Sequence, residues 1–138
     1  RNIIPDKVHF TVDIRSWDDD LAIDAWNKLS ADFNQIAEGR GCPIKIEETW
    51  RVEHAPFDEK LVQGILDSAE ELGYSNLHMV SGAGHDASYM NQLAPTAMIF
   101  VPSIGGRSHV EVENTTWEDC TAGADVLLHA MLRAANEK

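Results

Sequence analysis

Pro95-Thr96-Ala97-Met98-Ile99-Phe100-Val101-Pro102-Ser103 decides the fold class. From Thr96 to Val101 it is an almost unbroken apolar run, the pattern of a strand covered on both faces rather than half-buried. Upstream, Leu61, Val62, Ile65, Leu66, Ala69 and Leu72 recur at helical spacing behind Asp58, which suits a helix cap, and Gly73 closes the segment. Downstream, the stretch 102–116 has no periodicity and leads to a helix from Trp117 to about Ala135. Ala124, Leu127, Leu128 and Met131 are expected on its buried stripe, with Thr115 or Thr116 as its cap. Helix, buried strand, helix predicts an α/β layer for this half of the chain.

The first 50 residues have a different grain. From Lys7 to Arg15 the residues alternate, with Val8, Phe10, Val12 and Ile14 on one side and Lys7, His9, Thr11, Asp13 and Arg15 on the other, which predicts a half-buried strand. Asp18-Asp19-Asp20 complements a helix N-terminus, and Leu21, Ala25, Leu29, Phe33 and Ile36 carry the pattern until Gly39 and Gly41 stop it, so 18–38 is expected to be an amphipathic helix. After Pro43 the alternation returns through Ile44, Ile46 and Glu48 to Trp50. Strand, helix, strand predicts part of a small α+β layer. The pattern lapses at Glu53-His54-Ala55-Pro56, and Pro56 disfavours helix at the residue before it, so the expected domains are 1–52 and 53–138.

Charge and cysteine usage narrow the function classes. Eleven Lys and Arg against 23 Asp and Glu leave a formal charge of -12, which repels phosphate backbones and anionic headgroups, so neither nucleic acid nor a membrane surface is an expected partner. Cys42 and Cys120 make no C-x-x-C pair, so neither a zinc knuckle nor a disulfide framework is indicated, and a reducing cytoplasm is the expected setting. No apolar run approaches the roughly 20 residues that a membrane span requires. The chain opens on Arg1-Asn2-Ile3-Ile4 without an initiator methionine and is in a strand pattern within nine residues.

Chemistry concentrates in two loops. Gly105-Gly106-Arg107-Ser108-His109-Val110-Glu111-Val112-Glu113 lies just past the buried run, where open α/β sheets place their ligand sites. Imidazole is the commonest metal-ligating side chain, which makes His109 the leading metal candidate against the plainer reading of a loop histidine bonded to a carboxylate. If 109–113 is extended, His109, Glu111 and Glu113 share a face; if it is helical, His109 and Glu113 do. Ser81-Gly82-Ala83-Gly84-His85-Asp86 could be an anion-binding turn, or a tight turn in which Asp86 caps a short helix. It lacks the lysine of a phosphate-binding loop and the spacing of a dinucleotide fingerprint. No serine lies in a G-x-S-x-G elbow. Arg15 offers a planar fork for a carboxylate, or a surface pair with Asp13 or Asp6. Trp50 and Arg107 are candidates for a specificity pocket, with packing or plain exposure as the alternative.

Taken in order, Ser81-Gly-Ala-Gly-His-Asp-Ala87, Pro95-Thr-Ala-Met-Ile-Phe-Val-Pro-Ser103 and Gly105-Gly-Arg-Ser-His109 with Glu113 resemble the C-terminal signature of the hydantoinase/carbamoylase family, which is similar in turn to aminoacylases and dinuclear-metal peptidases. Asn2-Ile-Ile-Pro5 followed by Phe10-Thr-Val-Asp-Ile-Arg15 resembles that family's lid-domain strand. The resemblance implies the second half of a lid or dimerisation domain over 1–52 and the closing helix-strand-helix segment of a metallopeptidase-like catalytic domain over 53–138.

What the resemblance implies about chemistry follows residue by residue. His109 would be a ligand of one metal in a site that holds two divalent ions, zinc or manganese. Asn2 and Arg15 would bind the carboxylate of a carbamoyl or ureido substrate, Gly82, Ala83 and Gly84 would lie along it, and His85, Asp86 and Glu113 would support the site. No catalytic residue is expected in this chain, because the general base and the other ligands belong to an N-terminal half of such enzymes that the sequence does not contain. The implied activity is metal-dependent hydrolysis of N-carbamoyl-amino acids or related ureides by a homodimer, with this chain inactive alone. The alternative from another class is a non-catalytic dimerisation or interaction module.

Overall fold

A computed structural model describes residues 3–136 and divides the chain into two compact units, Arg1–His54 and Ala55–Lys138. In the first unit, α1 spans Asp19–Arg40. The Asp18 carboxylate starts it by accepting the amides of Asp20 and Leu21 at 2.9 and 3.1 Å, satisfying donors that have no partner within the helix. Gly41 ends it at φ 64°, where the amides of Gly41 and Cys42 bond back to Glu38 and Ala37. Gly39 is inside the helix rather than at its end. The half-covered line runs through Ala22, Trp26, Leu29, Phe33 and Ala37, so Leu29 and Phe33 lie where the pattern predicts, whereas Leu21 and Ile36 face outward.

The expected strands at 7–15 and 44–50 have no ladder; among the described residues no strand is assigned anywhere in the chain. A strand is completed by a neighbour about 4.8 Å away that takes its N–H and C=O groups, and alternation in a sequence specifies a face without supplying that neighbour. Val8, Phe10, Val12 and Ile14, the face predicted to be buried, are all exposed. Phe10 alone of these stacks on a ring, meeting Phe33 edge-to-face with centroids 5.6 Å apart.

The second unit is built on two helices, α2 (Glu59–Glu71) and α4 (Trp117–Asn136), with a single-turn helix α3 (Asp86–Met90) between them. Asp58 caps α2 through the Leu61 amide, and Gly73 at φ 76° closes it, as the sequence predicts. The predicted stripe of α2 is covered throughout. α4 differs from expectation. Its covered line is Asp119, Ala122, Gly123, Val126, Ala130 and Arg133, while Leu127, Leu128 and Met131 are more than half exposed.

Small residues explain the choice of face. A Cβ on Gly123 would stand 2.4 Å from Val101 Cγ1, so only glycine lets the 96–101 segment lie against α4. Gly64 on α2 faces the stem of Arg133, whose guanidinium reaches Glu71 at 2.6 Å. The helix pair buries Ser68, Ala69 and Val126, and Ser68 satisfies its hydroxyl on the Gly64 carbonyl at 2.7 Å. The segment 96–101, expected to be covered on both sides, is half-covered, with Phe100 and Val101 open on one side.

That core is small for the chain. The accessible surface is 12012 Å², against roughly 7,100 Å² for a folded monomer of this mass.

Candidate functional site

The turn before α3 is organised by one hydroxyl. Ser81 Oγ lies 2.7 Å from His85 Nε2 and accepts the Ala83 amide at 3.2 Å, so one side chain ties the middle of Gly82-Ala83-Gly84 to the histidine that follows it. The His85 ring meets Phe100 edge-to-face with centroids 5.4 Å apart, which fixes the imidazole against the 96–101 segment. Ser81 and His85 are half-buried, whereas Gly82, Ala83 and Gly84 are exposed, so the turn presents backbone to solvent above an anchored base. Asp86 does not cap α3. It occupies the first helical turn, and His85 holds the capping position without a side-chain bond to the helix amides. At five residues α3 also contributes little dipole to an anion site.

The loop 102–116 has no regular repeat but is closely pinned. Ile104 N–H bonds to the Asn114 carbonyl at 2.8 Å, and Ser103 Oγ donates to the Arg107 carbonyl at 2.5 Å. Gly105 and Gly106 turn the chain at φ 69° and 64°. His109 follows at φ 59°, a left-handed backbone that non-glycine residues adopt only when their surroundings impose it. The Glu113 carboxylate provides that constraint by accepting the His109 amide at 2.8 Å, and the Glu113 amide bonds to Val110.

Residues 109–113 are thus neither extended nor helical, correcting both geometries the spacing suggested. Glu113 supports His109 through its backbone rather than its ring, and the imidazole, on an exposed residue, makes no hydrogen bond among the described residues. A shallow cleft of about 590 Å³ lies beside this loop, bordered by Glu113, Asn114, Thr116, Trp117 and Cys120. His85, His109 and Arg107 do not line it.

In the first unit, Arg15 pairs with Asp13 through Nε and Nη2, at distances down to 2.7 Å. The pair holds the Asp13 carboxyl below its ordinary range and raises the guanidinium further. Both partners are exposed. Trp50 is exposed. Asn2 lies outside the described residues.

No group of three or more His, Cys, Asp or Glu is placed to hold a metal ion among the described residues, so His85, Asp86, His109 and Glu113 do not form a self-contained site. Nor is any described helix long and apolar enough to cross a membrane. The residue that the sequence pattern left unassigned is Ser81. Its separation of four from His85 was the available signal, and the turn that closes that distance is not periodic.

Comparison with known proteins extends this picture. The profile of peptidase family M20/M25/M40 matches residues 5–133. An N-carbamoyl-L-amino-acid amidohydrolase of Rhizobium meliloti is 45% identical over 135 residues, covering 98% of this chain and 32% of that protein. An allantoate amidohydrolase of Bacillus subtilis is 36% identical over 134 residues, covering 97% of this chain and 32% of that protein. The crystal structure of a hydantoinase/carbamoylase family amidase from Burkholderia vietnamiensis superposes with a TM-score of 0.77 at 41% identity, over 88% of this chain and 29% of that one. The chain therefore spans about a third of the length of the relatives it matches.

Proposed function

The chain belongs to peptidase family M20/M25/M40, and from that membership we propose that it forms part of an amidohydrolase cleaving the linear carbamoyl C–N bond of N-carbamoyl-amino acids or related ureides. The observation that carries the proposal is the 45% identity to an N-carbamoyl-L-amino-acid amidohydrolase across almost the whole chain. On this reading, residues 1–52 are part of a lid and dimerisation domain, and 53–138 are part of a catalytic domain of α/β class. The segments 7–15, 44–50 and 96–101 then complete sheets with strands from the rest of the protein, which also covers Leu127, Leu128 and Met131. The exposed surface and the ladderless extended segments support that arrangement.

The substrate's carboxylate is held by Arg15 and Asn2, and its chain lies along Gly82-Ala83-Gly84, whose exposed backbone can approach a ligand closely. Binding energy at the carboxylate, remote from the scissile bond, is then available for positioning. His109 holds one of two divalent ions, zinc or manganese, with Glu113 fixing its backbone; His85 and Asp86 support the turn. When bound, such ions act as Lewis acids on the carbonyl and acidify water. No residue of this chain is assigned as the general base.

Arg15→Ala in the full-length protein tests the proposal. Wild type is expected to hydrolyse N-carbamoyl-L-amino acids and to stop when chelated. The variant should lose about 10- to 100-fold in kcat/KM, the range for a charged hydrogen bond, with its metal content unchanged. Wild-type protein inert toward carbamoyl and ureido acids with metal supplied, or unchanged kinetics in the variant, would overturn the respective assignment.

A further inference from the structure

The contacts of Ser81 define the protonation pattern of the imidazole beside it. A hydroxyl carries one proton and two lone pairs, whereas a backbone N–H can only donate. Ser81 Oγ accepts the Ala83 amide at 3.2 Å, and its other polar neighbour is His85 Nε2 at 2.7 Å. Among the described residues, that nitrogen is the acceptor available to the hydroxyl proton. The hydrogen bonds then run in one direction, from the Ala83 amide to the Ser81 hydroxyl and on to Nε2. A neutral imidazole that accepts at Nε2 carries its proton on Nδ1. In the opposite tautomer Oγ would accept twice, and its own proton would have no protein partner at a half-buried position.

We infer that Ser81 is a positioning residue that holds His85 as the Nδ1–H tautomer and ties the Gly82-Ala83-Gly84 turn to it, so that the ring offers a donor to an oxygen of the ligand bound along that turn. This role rests on the proposed amidohydrolase function, but the tautomer itself does not. The Phe100 ring supplies the second restraint by holding the imidazole edge-to-face, so the Nε2 contact need only select the tautomer rather than also hold the plane of the ring. The chemistry implied for the ligand is a carbonyl or carboxylate oxygen, an acceptor for one N–H.

Nitrogen-15 NMR of the full-length protein labelled at histidine, with His85 assigned from the resonance missing in His85→Gln, tests the inference. Wild type is expected to show a pyrrole-type Nδ1 and a pyridine-type Nε2 at His85. Ser81→Ala should move the ring toward the other tautomer and lower kcat/KM for an N-carbamoyl-amino acid about tenfold, and Ser81→Thr, which keeps the hydroxyl, should restore both. A protonated Nε2 in wild type, or a tautomer unaltered in Ser81→Ala, would overturn the assignment even if the alanine variant fails to fold well enough for kinetics. A tautomer that changes while kcat/KM does not would remove the positioning role. If wild type hydrolyses no carbamoyl acid, the functional premise fails separately, since the NMR result still decides the tautomer.

Discussion

The carboxylate of Glu113 accepts the backbone N–H of His109 at 2.8 Å, gripping a residue whose φ of 59° would otherwise relax. A left-handed non-glycine residue costs on the order of 1–3 kcal/mol, which a carboxylate–amide hydrogen bond offsets by a similar amount. The pair is therefore a backbone clamp, and it acts on the side chain proposed as a metal ligand.

That clamp makes a prediction with two arms. In the full-length protein, Glu113→Ala should weaken divalent metal binding about tenfold, the lower end of what loss of a supporting contact costs, while Glu113→Gln keeps an acceptor oxygen and most of the affinity. His109→Asn, a residue at ease in the left-handed region, should preserve folding but lose the metal. Competition titration with a chelating dye reads both. Wild-type affinity in Glu113→Ala would show that the clamp does not serve the metal.

Much of this architecture was legible from sequence, and the divisions between success and failure are physical. Both caps of α2 and its covered stripe follow from Asp58, Gly73 and the apolar spacing, because a helix satisfies its own backbone and needs one partner face. Thr116, one of two candidates, starts α4 by accepting the Asp119 amide at 3.1 Å. The strands were legible as patterns but have no ladder, since their partners are not encoded in the segment that shows the alternation. On α4 the large apolar residues drew the expectation, but the face that is covered is the one where Gly123 lets the 96–101 segment lie close and Val126 is buried. As candidates, His109 and the 81–86 turn could be picked out by residue type. The backbone role of Glu113 and the hydroxyl link from Ser81 could not, because both arise from non-repeating turns.

Gly123 carries the second prediction. A methyl group there meets Val101 Cγ1 at 2.4 Å, and a β-branched side chain has few other rotamers to adopt. Gly123→Ala should destabilise the second unit by about 1–3 kcal/mol, the usual cost of overpacking, despite the gain in helix propensity. Pairing it with Val101→Ala should recover part of the loss, since the double variant removes the clashing atom. Denaturant unfolding of the single and double variants measures the coupling. A single variant at least as stable as wild type would mean that the 96–101 segment does not need the glycine to lie on α4.

Tyr74 follows the turn that ends α2 and donates its hydroxyl to Asp125 Oδ2 on α4 at 3.0 Å, linking the two helices of the second unit. The hydrogen bond is the main reason the phenol is pushed above its ordinary value; desolvation and the Asp125 charge act in the same direction. A group whose folded pKa lies above its unfolded one stabilises the fold fully below the unfolded value, about 10 for tyrosine, and loses that contribution as pH rises through the folded value. Stability should therefore fall in alkaline solution beyond the ordinary tyrosine range, and Tyr74→Phe should lack that component of the fall. The ring Cζ resonance of Tyr74, followed by carbon-13 NMR against pH, should titrate above the ordinary phenol value in wild type and return toward it in Asp125→Asn. An ordinary titration midpoint in wild type, indifferent to Asp125→Asn, would show that this bond does not join the helices in solution.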